Sequence, residues 1–143
     1  MSVFPRWPVA LALCIALATT ATAQDAVEPH VSIELNALEA VDADCRISFV
    51  IRNGLASDIS QAVYEVVLFD TAGRVERLTL FDFGTLPAAR PRVRQFLVPG
   101  LACPTLGRML VNGAETCDGA ELPHDACTAG LDLLSRTDVE VLG

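Results

Sequence analysis

The chain has 143 residues, the length of a single domain preceded by a short leader. It contains ten arginines, no lysine and eighteen acidic residues, so its formal net charge is −8. This charge argues against binding to nucleic acid and against adsorption to anionic lipid, because both require a basic face.

The first 23 residues have the anatomy of an export signal. Arg6 precedes an apolar run, residues 8–18, that is too short to span a bilayer, and no later run approaches membrane length. Residues 21–23 end the leader with the small-x-small pattern that signal peptidase cleaves. We therefore predict a signal peptide over residues 1–23 and a domain over residues 24–143. The predicted location is the bacterial periplasm, with extracellular release as the alternative.

Two other export routes have weaker sequence support. Residues 11–14 resemble a lipoprotein cleavage box, but Leu13 stands where a small residue is expected before Cys14. Twin-arginine export requires a second arginine, whereas Trp7 follows Arg6. Cleavage by signal peptidase after residue 23 remains the favoured interpretation.

The sequence after the leader is a series of short apolar runs and alternations separated by turn residues, which is typical of strands. The alternation is clearest at residues 45–52, and the turn residues Asn53 and Gly54 follow it. Strands are predicted at residues 30–38, 45–52, 63–69, 75–83, 93–98, 106–111, 131–134 and 139–142.

Two turn signals and one ambiguous segment complete the pattern. Residues 70–73 predict a hairpin turn, and Asn112–Gly113 is the strongest short hairpin signal in the chain. A helix over residues 126–135 is an alternative to a strand there, because the leucines in that segment fit neither period. The chain is therefore predicted to be all-β: a single immunoglobulin-like antiparallel sandwich of about seven strands.

Five aromatic residues lie inside these apolar strands. Their setting predicts core positions rather than a platform on which a ligand stacks. They are Tyr64, Phe69, Phe81, Phe83 and Phe96.

Residues 53–98 carry a pattern of turn and core positions. A strand ends in Asn, a valine-rich strand closes on an aromatic–Asp pair before a glycine, and a Leu-Pro turn leads to a strand that ends in Phe-x-Val. The matching residues are Asn53, Val63, Val67, Phe69, Asp70, Gly73, Leu86, Pro87, Phe96 and Val98. This pattern resembles the small immunoglobulin-like FxLYD-type domains of bacterial envelope proteins, although Ala88 and Ala89 replace the usual glycine.

The resemblance implies a binding or structural module without catalytic residues. The whole chain is also similar to exported proteins of alphaproteobacteria, from which no function follows.

Four cysteines follow the leader, and an even number in an exported chain predicts disulfides. Three pairings are possible. In a sandwich of this kind the strand at residues 45–52 lies antiparallel to the strand at residues 93–98, so the start of one meets the end of the other. This arrangement favours Cys45–Cys103, which leaves Cys117–Cys127.

Redox and metal roles for the cysteines have less support. No pair has the Cys-x-x-Cys spacing of thioredoxin-like proteins. A zinc ligand set can be drawn near one histidine, but thiols in an oxidising compartment pair instead. That set comprises Cys117, Asp118, Glu121, His124, Asp125 and Cys127. We predict neither a metal nor a cofactor.

Five arginines are the candidate binding residues. Arg90, Arg92 and Arg94 lie at positions i, i+2 and i+4, so an extended strand would point all three the same way, and Arg46 and Arg52 lie on or beside the neighbouring predicted strand. If all five share a face, they form a positive stripe suited to carboxylate or phosphate groups. The alternative is a solvated sheet face whose arginines pair with acids and discourage edge association.

No catalytic pattern stands out in the chain. His124–Asp125 has the residue types of part of a triad, but no serine is marked as a nucleophile. We therefore predict a non-catalytic periplasmic module, stabilised by disulfides, that binds another envelope protein or a small anionic ligand. The alternative is a small secreted inhibitor of a basic enzyme such as lysozyme, steered by negative charge. A hydrolase that uses His124 is a third hypothesis.

Overall fold

The computed structural model describes residues 28–143, together with Met1 and Val3, and contains two four-stranded sheets. The strands are β1 (Val31–Val41), β2 (Asp44–Asn53), β3 (Ile59–Asp70), β4 (Val75–Leu86), β5 (Pro91–Val98), β6 (Leu106–Asp118), β7 (Asp132–Ser135) and β8 (Glu140–Leu142). The predicted all-β sandwich is confirmed, with eight strands rather than about seven. The predicted signal peptide lies outside the described residues, apart from Met1 and Val3.

The first sheet has the strand order β5-β2-β1-β7 and the second the order β4-β3-β6-β8. The pairs β1–β7 and β6–β8 are parallel, and the other neighbours are antiparallel. The sandwich is therefore not purely antiparallel. Its two short strands, β7 and β8, are the edge strands at which these parallel pairings occur.

The strand predicted at residues 131–134 is confirmed as β7, and the alternative of a helix over residues 126–135 is not what forms. Backbone hydrogen bonds such as Ala126 N–H to Pro123 O, at 3.0 Å, form turns in the first part of this segment. The second part is β7, whose residues pair with Ser32 to Leu35 of β1. Within the described part of the chain the only helical element is a single 3₁₀ turn, Cys103–Thr105, and no helix is long and apolar enough to cross a bilayer.

An aromatic cluster fills the space between the sheets. The ring of Phe49 lies 5.2 Å from that of Phe81, 5.4 Å from that of Phe83 and 6.1 Å from that of Phe96, between ring centroids. These distances suit edge and tilted aromatic packing. Four of the five aromatics predicted to be core residues lie in or against this cluster. Phe69 does not: it is half-buried on the solvent side of β3.

Asn112 and Gly113 do not turn the chain, so the hairpin predicted there is wrong. β6 continues to Asp118, and its register against β3 pairs Glu65 with Gly113 but Val66 with Val111. Asn112 is therefore the additional residue of a β-bulge, and its side-chain amide donates to the Glu65 carboxylate. The bulge accommodates these turn-forming residues without ending the strand.

The hairpin predicted at residues 70–73 is confirmed between β3 and β4. The Asp70 carboxylate accepts hydrogen bonds from the backbone N–H groups of Ala72 and Arg74, both at 2.9 Å. The bond from the Arg74 backbone is the main reason that the pKa of Asp70 lies below its ordinary value. Gly73 has φ = 78°, a conformation that glycine adopts without steric cost.

One disulfide closes each end of the sandwich. Cys45 pairs with Val98 in the register of β2 and β5, which brings its sulfur to Cys103 in the turn after β5. The second bridge joins Cys117, near the end of β6, to Cys127 in the loop before β7. These are the two pairs that the strand arrangement favoured.

The buried Tyr64 hydroxyl attaches the loop before β7 to the core. It donates a 2.7 Å hydrogen bond to the backbone carbonyl of Cys127, and burial raises the pKa of Tyr64 well above its ordinary value. The loop is thus held by a covalent bridge and a buried hydrogen bond at the same residue.

Tyr64→Phe is expected to lower the free energy of unfolding by about 1–2 kcal/mol, because the carbonyl of Cys127 loses its partner in a buried position. Urea denaturation of the oxidised protein measures this change. An unchanged midpoint would show that water replaces the hydroxyl and that the bond does not stabilise the loop.

Candidate anion-binding site at the arginine corner

The five predicted arginines do not share one face. The register of β5 against β2 places Arg92 opposite Ile51 and Arg94 opposite Phe49. Directly opposed residues point to the same side of a sheet, and both Ile51 and Phe49 are buried. Arg92 and Arg94 therefore lie on the side of β5 that faces the second sheet.

Arg46 and Arg52 lie on the other side of the first sheet, opposite Leu97 and Pro91 of β5. The single-face stripe is thus a wrong prediction. Its physical reason is the register: the arginines of β5 are opposite inward residues of β2, and the arginines of β2 are outward residues.

The Arg94 side chain makes hydrogen bonds from the first sheet to the second. Its guanidinium donates to the carbonyls of Phe83, at 2.8 Å, and Thr85, at 3.2 Å, both on the edge strand β4. A third bond, of 3.1 Å, goes to the carbonyl of Val93. These bonds use all three nitrogens of the guanidinium group. They also cover part of the open edge of β4, which protects that edge from pairing with another chain.

Most other arginines also have partners. The guanidinium of Arg108 lies 5.3 Å from the ring centroid of Phe69. Four form ion pairs of 2.9–3.1 Å with carboxylates: Arg46 with Glu39, Arg74 with Asp70, Arg77 with Glu76 and Arg136 with Glu34.

The remaining three arginines lie at one end of the first sheet, although they do not share a face: Arg92 is on its inner face, Arg52 is on its outer face and Arg90 precedes β5. Arg52 is the register partner of Pro91, and Arg90 and Arg92 flank Pro91 in the chain. Cα atoms of directly opposed residues are about 4.5–5.5 Å apart, so Arg52 lies close to Pro91 and its two chain neighbours. No carboxylate of residues 28–143 lies within 4 Å of any of the three guanidinium groups. We call Arg52, Arg90 and Arg92 the arginine corner.

The turn between β4 and β5 is fixed by hydrogen bonds and positions Arg90. The N–H of Ala89 donates to the Asn53 carbonyl at 2.8 Å, and the N–H of Ala88 donates to the Asp58 carboxylate at 2.8 Å. Ala89 has φ = 58°, a left-handed conformation that costs free energy in a non-glycine residue. The turn after β4 is thus fixed to the end of β2, and Arg90 follows beside Arg52.

Each guanidinium of the corner can bind a carboxylate or phosphate group. Guanidinium groups present paired N–H donors that match carboxylate and phosphate geometry. Arg92 has one donor in use, a 3.1 Å bond to the Pro91 carbonyl, and neither Arg52 nor Arg90 donates a side-chain hydrogen bond to a described residue. Three positive charges thus lie at one end of the first sheet of an acidic protein, distributed over both faces of that sheet.

The loop at residues 118–127 does not form the alternative sites that the sequence allowed. Cys117 and Cys127 are joined in a disulfide and are not free to bind zinc. Within the described residues no three His, Cys, Asp or Glu side chains are grouped as metal ligands. His124 is exposed in the loop and makes no side-chain hydrogen bond to a described residue.

Comparison with known proteins adds a fold and no activity. No protein-family profile matches the chain, and comparison with curated proteins finds no relative. A solved structure of IrmA from Escherichia coli is similar, with a TM-score of 0.59 and 13% identity, over 74% of this chain and 92% of that chain. At this identity the likeness shows the β-sandwich fold alone, and the resemblance to FxLYD-type domains stays a prediction.

Proposed function

We propose that the protein is a non-catalytic, disulfide-stabilised module of the bacterial periplasm that binds a carboxylate- or phosphate-bearing partner at the arginine corner. One observation carries this proposal. Arg52 and Arg90 donate no side-chain hydrogen bond to a described residue, Arg92 donates one to the Pro91 carbonyl, and none of the three has a carboxylate partner within the described residues. The partner is another envelope protein or a small anionic ligand.

The proposed compartment is supported by the two disulfides and by the predicted leader. Disulfides form and persist in oxidising compartments, and the chain has one bridge at each end of its sandwich. The predicted leader over residues 1–23 supplies the route of export.

Removing two charges from the corner, in R90Q/R92Q, is expected to weaken the binding of citrate and of inorganic phosphate at least tenfold, or about 1.4 kcal/mol. The reason is the loss of charge-assisted hydrogen bonds that each guanidinium can make. Isothermal titration calorimetry at low ionic strength measures both dissociation constants. Arg94 is left intact because its guanidinium holds the edge of β4.

The double variant R74Q/R136Q is the matched control. It removes the same charge from two exposed arginines that are already paired with carboxylates. Its affinity for the two anions is expected to stay within twofold of the native protein. Equal weakening in both variants would show a general charge effect and would overturn the corner as a site, as would the absence of binding by the native protein.

A further inference from the structure

The solvent side of the second sheet carries an unbroken apolar row. Val67 of β3 is opposite Leu78 of β4 on one side and Leu110 of β6 on the other, and Leu110 is opposite Leu142 of β8. The row therefore crosses all four strands. Val67 and Leu110 lie between buried residues of their strands and so point away from the core, and Leu78 and Leu142, which are opposite them, point the same way.

Further apolar side chains widen the row. Val75 of β4 pairs with Phe69 of β3, and Leu80 is two residues along β4 from Leu78. Val75, Leu78 and Leu80 are 64%, 55% and 51% exposed, the most exposed part of this surface. We call the set Val67, Phe69, Val75, Leu78, Leu80, Leu110 and Leu142 the apolar sheet face.

The solvent side of the first sheet is different. There the pairs Arg46–Glu39 and Arg136–Glu34 interrupt the exposed apolar residues. An antiparallel sheet ordinarily presents polar side chains to water, and a continuous apolar patch marks an interaction surface. Among the described residues, the apolar sheet face is therefore the surface that most resembles an interaction surface.

Charge at its border indicates the kind of partner. The register places Glu65 opposite Leu80, Asp82 opposite Val63 and Glu140 opposite Arg108, so three carboxylates border the apolar side chains. The guanidinium of Arg108 lies over Phe69 and is the positive group of this surface. The border is net negative on a chain whose formal charge is −8. A second copy would bring carboxylates against carboxylates.

The size of the face also bears on the choice. The face is four strands wide and as long as the segment from Val63 to Phe69. At the usual spacing between strands and rise per residue, its area is about 400 Å². A stable interface buries about 800 Å² on each partner. The apolar contact alone is therefore insufficient, and charged groups around it must contribute to binding.

We propose that the apolar sheet face binds a basic protein, by an apolar patch surrounded by lysine or arginine side chains. The lysines or arginines of the partner meet Glu65, Asp82 and Glu140, and its apolar centre covers the row from Leu78 to Leu142. This site is separate from the arginine corner and has the opposite charge preference.

The test compares two short probe peptides, one alternating leucine with lysine and the other alternating leucine with glutamate. The native protein is expected to bind the lysine peptide at least tenfold more tightly than the glutamate peptide, measured by fluorescence anisotropy at low salt. L78T/L80T is expected to weaken the lysine peptide at least tenfold. Threonine keeps strand propensity at exposed positions, so folding is preserved, and a thermal melt checks this.

V93T/L97T is the matched control, because Val93 and Leu97 are 61% and 49% exposed on the other sheet. Its affinity for the lysine peptide is expected to stay within twofold of native. The contribution of charge is tested separately with E140Q. This variant is expected to bind the lysine peptide more weakly and to leave the thermal melt unchanged.

Three results would overturn the proposal. The first is equal affinity for the two peptides, and the second is equal weakening by L78T/L80T and V93T/L97T. The third is self-association of the native protein, measured by analytical ultracentrifugation, that L78T/L80T abolishes, because the occupant would then be a second copy.

Discussion

Replacing both cysteines of the first bridge, in C45A/C103A, is expected to lower the free energy of unfolding by about 4 kcal/mol. The bridge joins residues 58 apart in sequence, and the chain-entropy model assigns a stabilisation of that size to a loop of this length. It also fixes the crossing from β5 to β6, where the chain leaves one sheet for the other. Urea denaturation of the oxidised variant, with Cys117–Cys127 intact, measures the loss.

C117A/C127A is the internal comparison, since its bridge joins residues only 10 apart. The same model expects about 3 kcal/mol for that loop, so the first double variant should be the less stable of the two. The reverse order would contradict loop length as the main cause. It would instead point to native-state packing around Cys127, where the Tyr64 hydroxyl also binds.

The strands could be predicted largely from the sequence because alternation is a local property. Residues 45–52 alternate with period two and end at Asn53, and the strand there runs from Asp44 to Asn53. The hairpin predicted at Asn112–Gly113 failed for a reason that is not local. Pairing with β3 continues on both sides of Asn112, and the sheet accommodates the additional residue as a bulge.

The candidate site was predictable only in part. Alternation correctly places Arg92 and Arg94 on one side of β5, whereas Arg90, predicted to point the same way, precedes the first residue of that strand. Whether Arg46 and Arg52 lie on that same side of the sheet depends on the register between β5 and β2. A register shift of one residue would move them from one side to the other. The sequence does not encode register in any short pattern, so the corner appears only when Arg52 is seen opposite Pro91.

The apolar sheet face has a sequence signal that was open to another interpretation. Residues 63–69 are apolar on both faces of the strand except at Glu65, a pattern that is also typical of a central strand buried on both sides. Here β3 is central within its sheet, yet one of its faces is open to solvent. The prediction of Phe69 as a core residue failed for this reason.

Asn53→Ala is expected to lower the free energy of unfolding by about 3 kcal/mol. The Asn53 side chain is fully buried and donates to the carbonyls of Ser57, at 2.9 Å, and Leu86, at 2.8 Å, while its oxygen accepts from the Leu55 N–H at 2.9 Å. Alanine leaves these groups unpaired, and each buried unpaired group costs about 1–3 kcal/mol, less where water reaches it. Urea denaturation at neutral pH measures the change, and a loss below about 1 kcal/mol would contradict it.

Asn53→Asp distinguishes the contribution of the two amide donors from that of the acceptor oxygen. The variant keeps an oxygen that accepts from the Leu55 N–H, but it lacks the amide N–H groups that donate to Ser57 and Leu86. The introduced carboxyl faces two carbonyl oxygens in a buried position, so its pKa in the folded state is raised above its value in the unfolded chain. A raised folded-state pKa stabilises the fold below the unfolded pKa, and this stabilisation is lost as pH rises through the folded pKa. The deficit of the variant relative to the native protein should therefore be smaller near about pH 4 than near about pH 7. A deficit that is constant or shrinks as pH rises would show that the lost amide donors are not what Ser57 and Leu86 require.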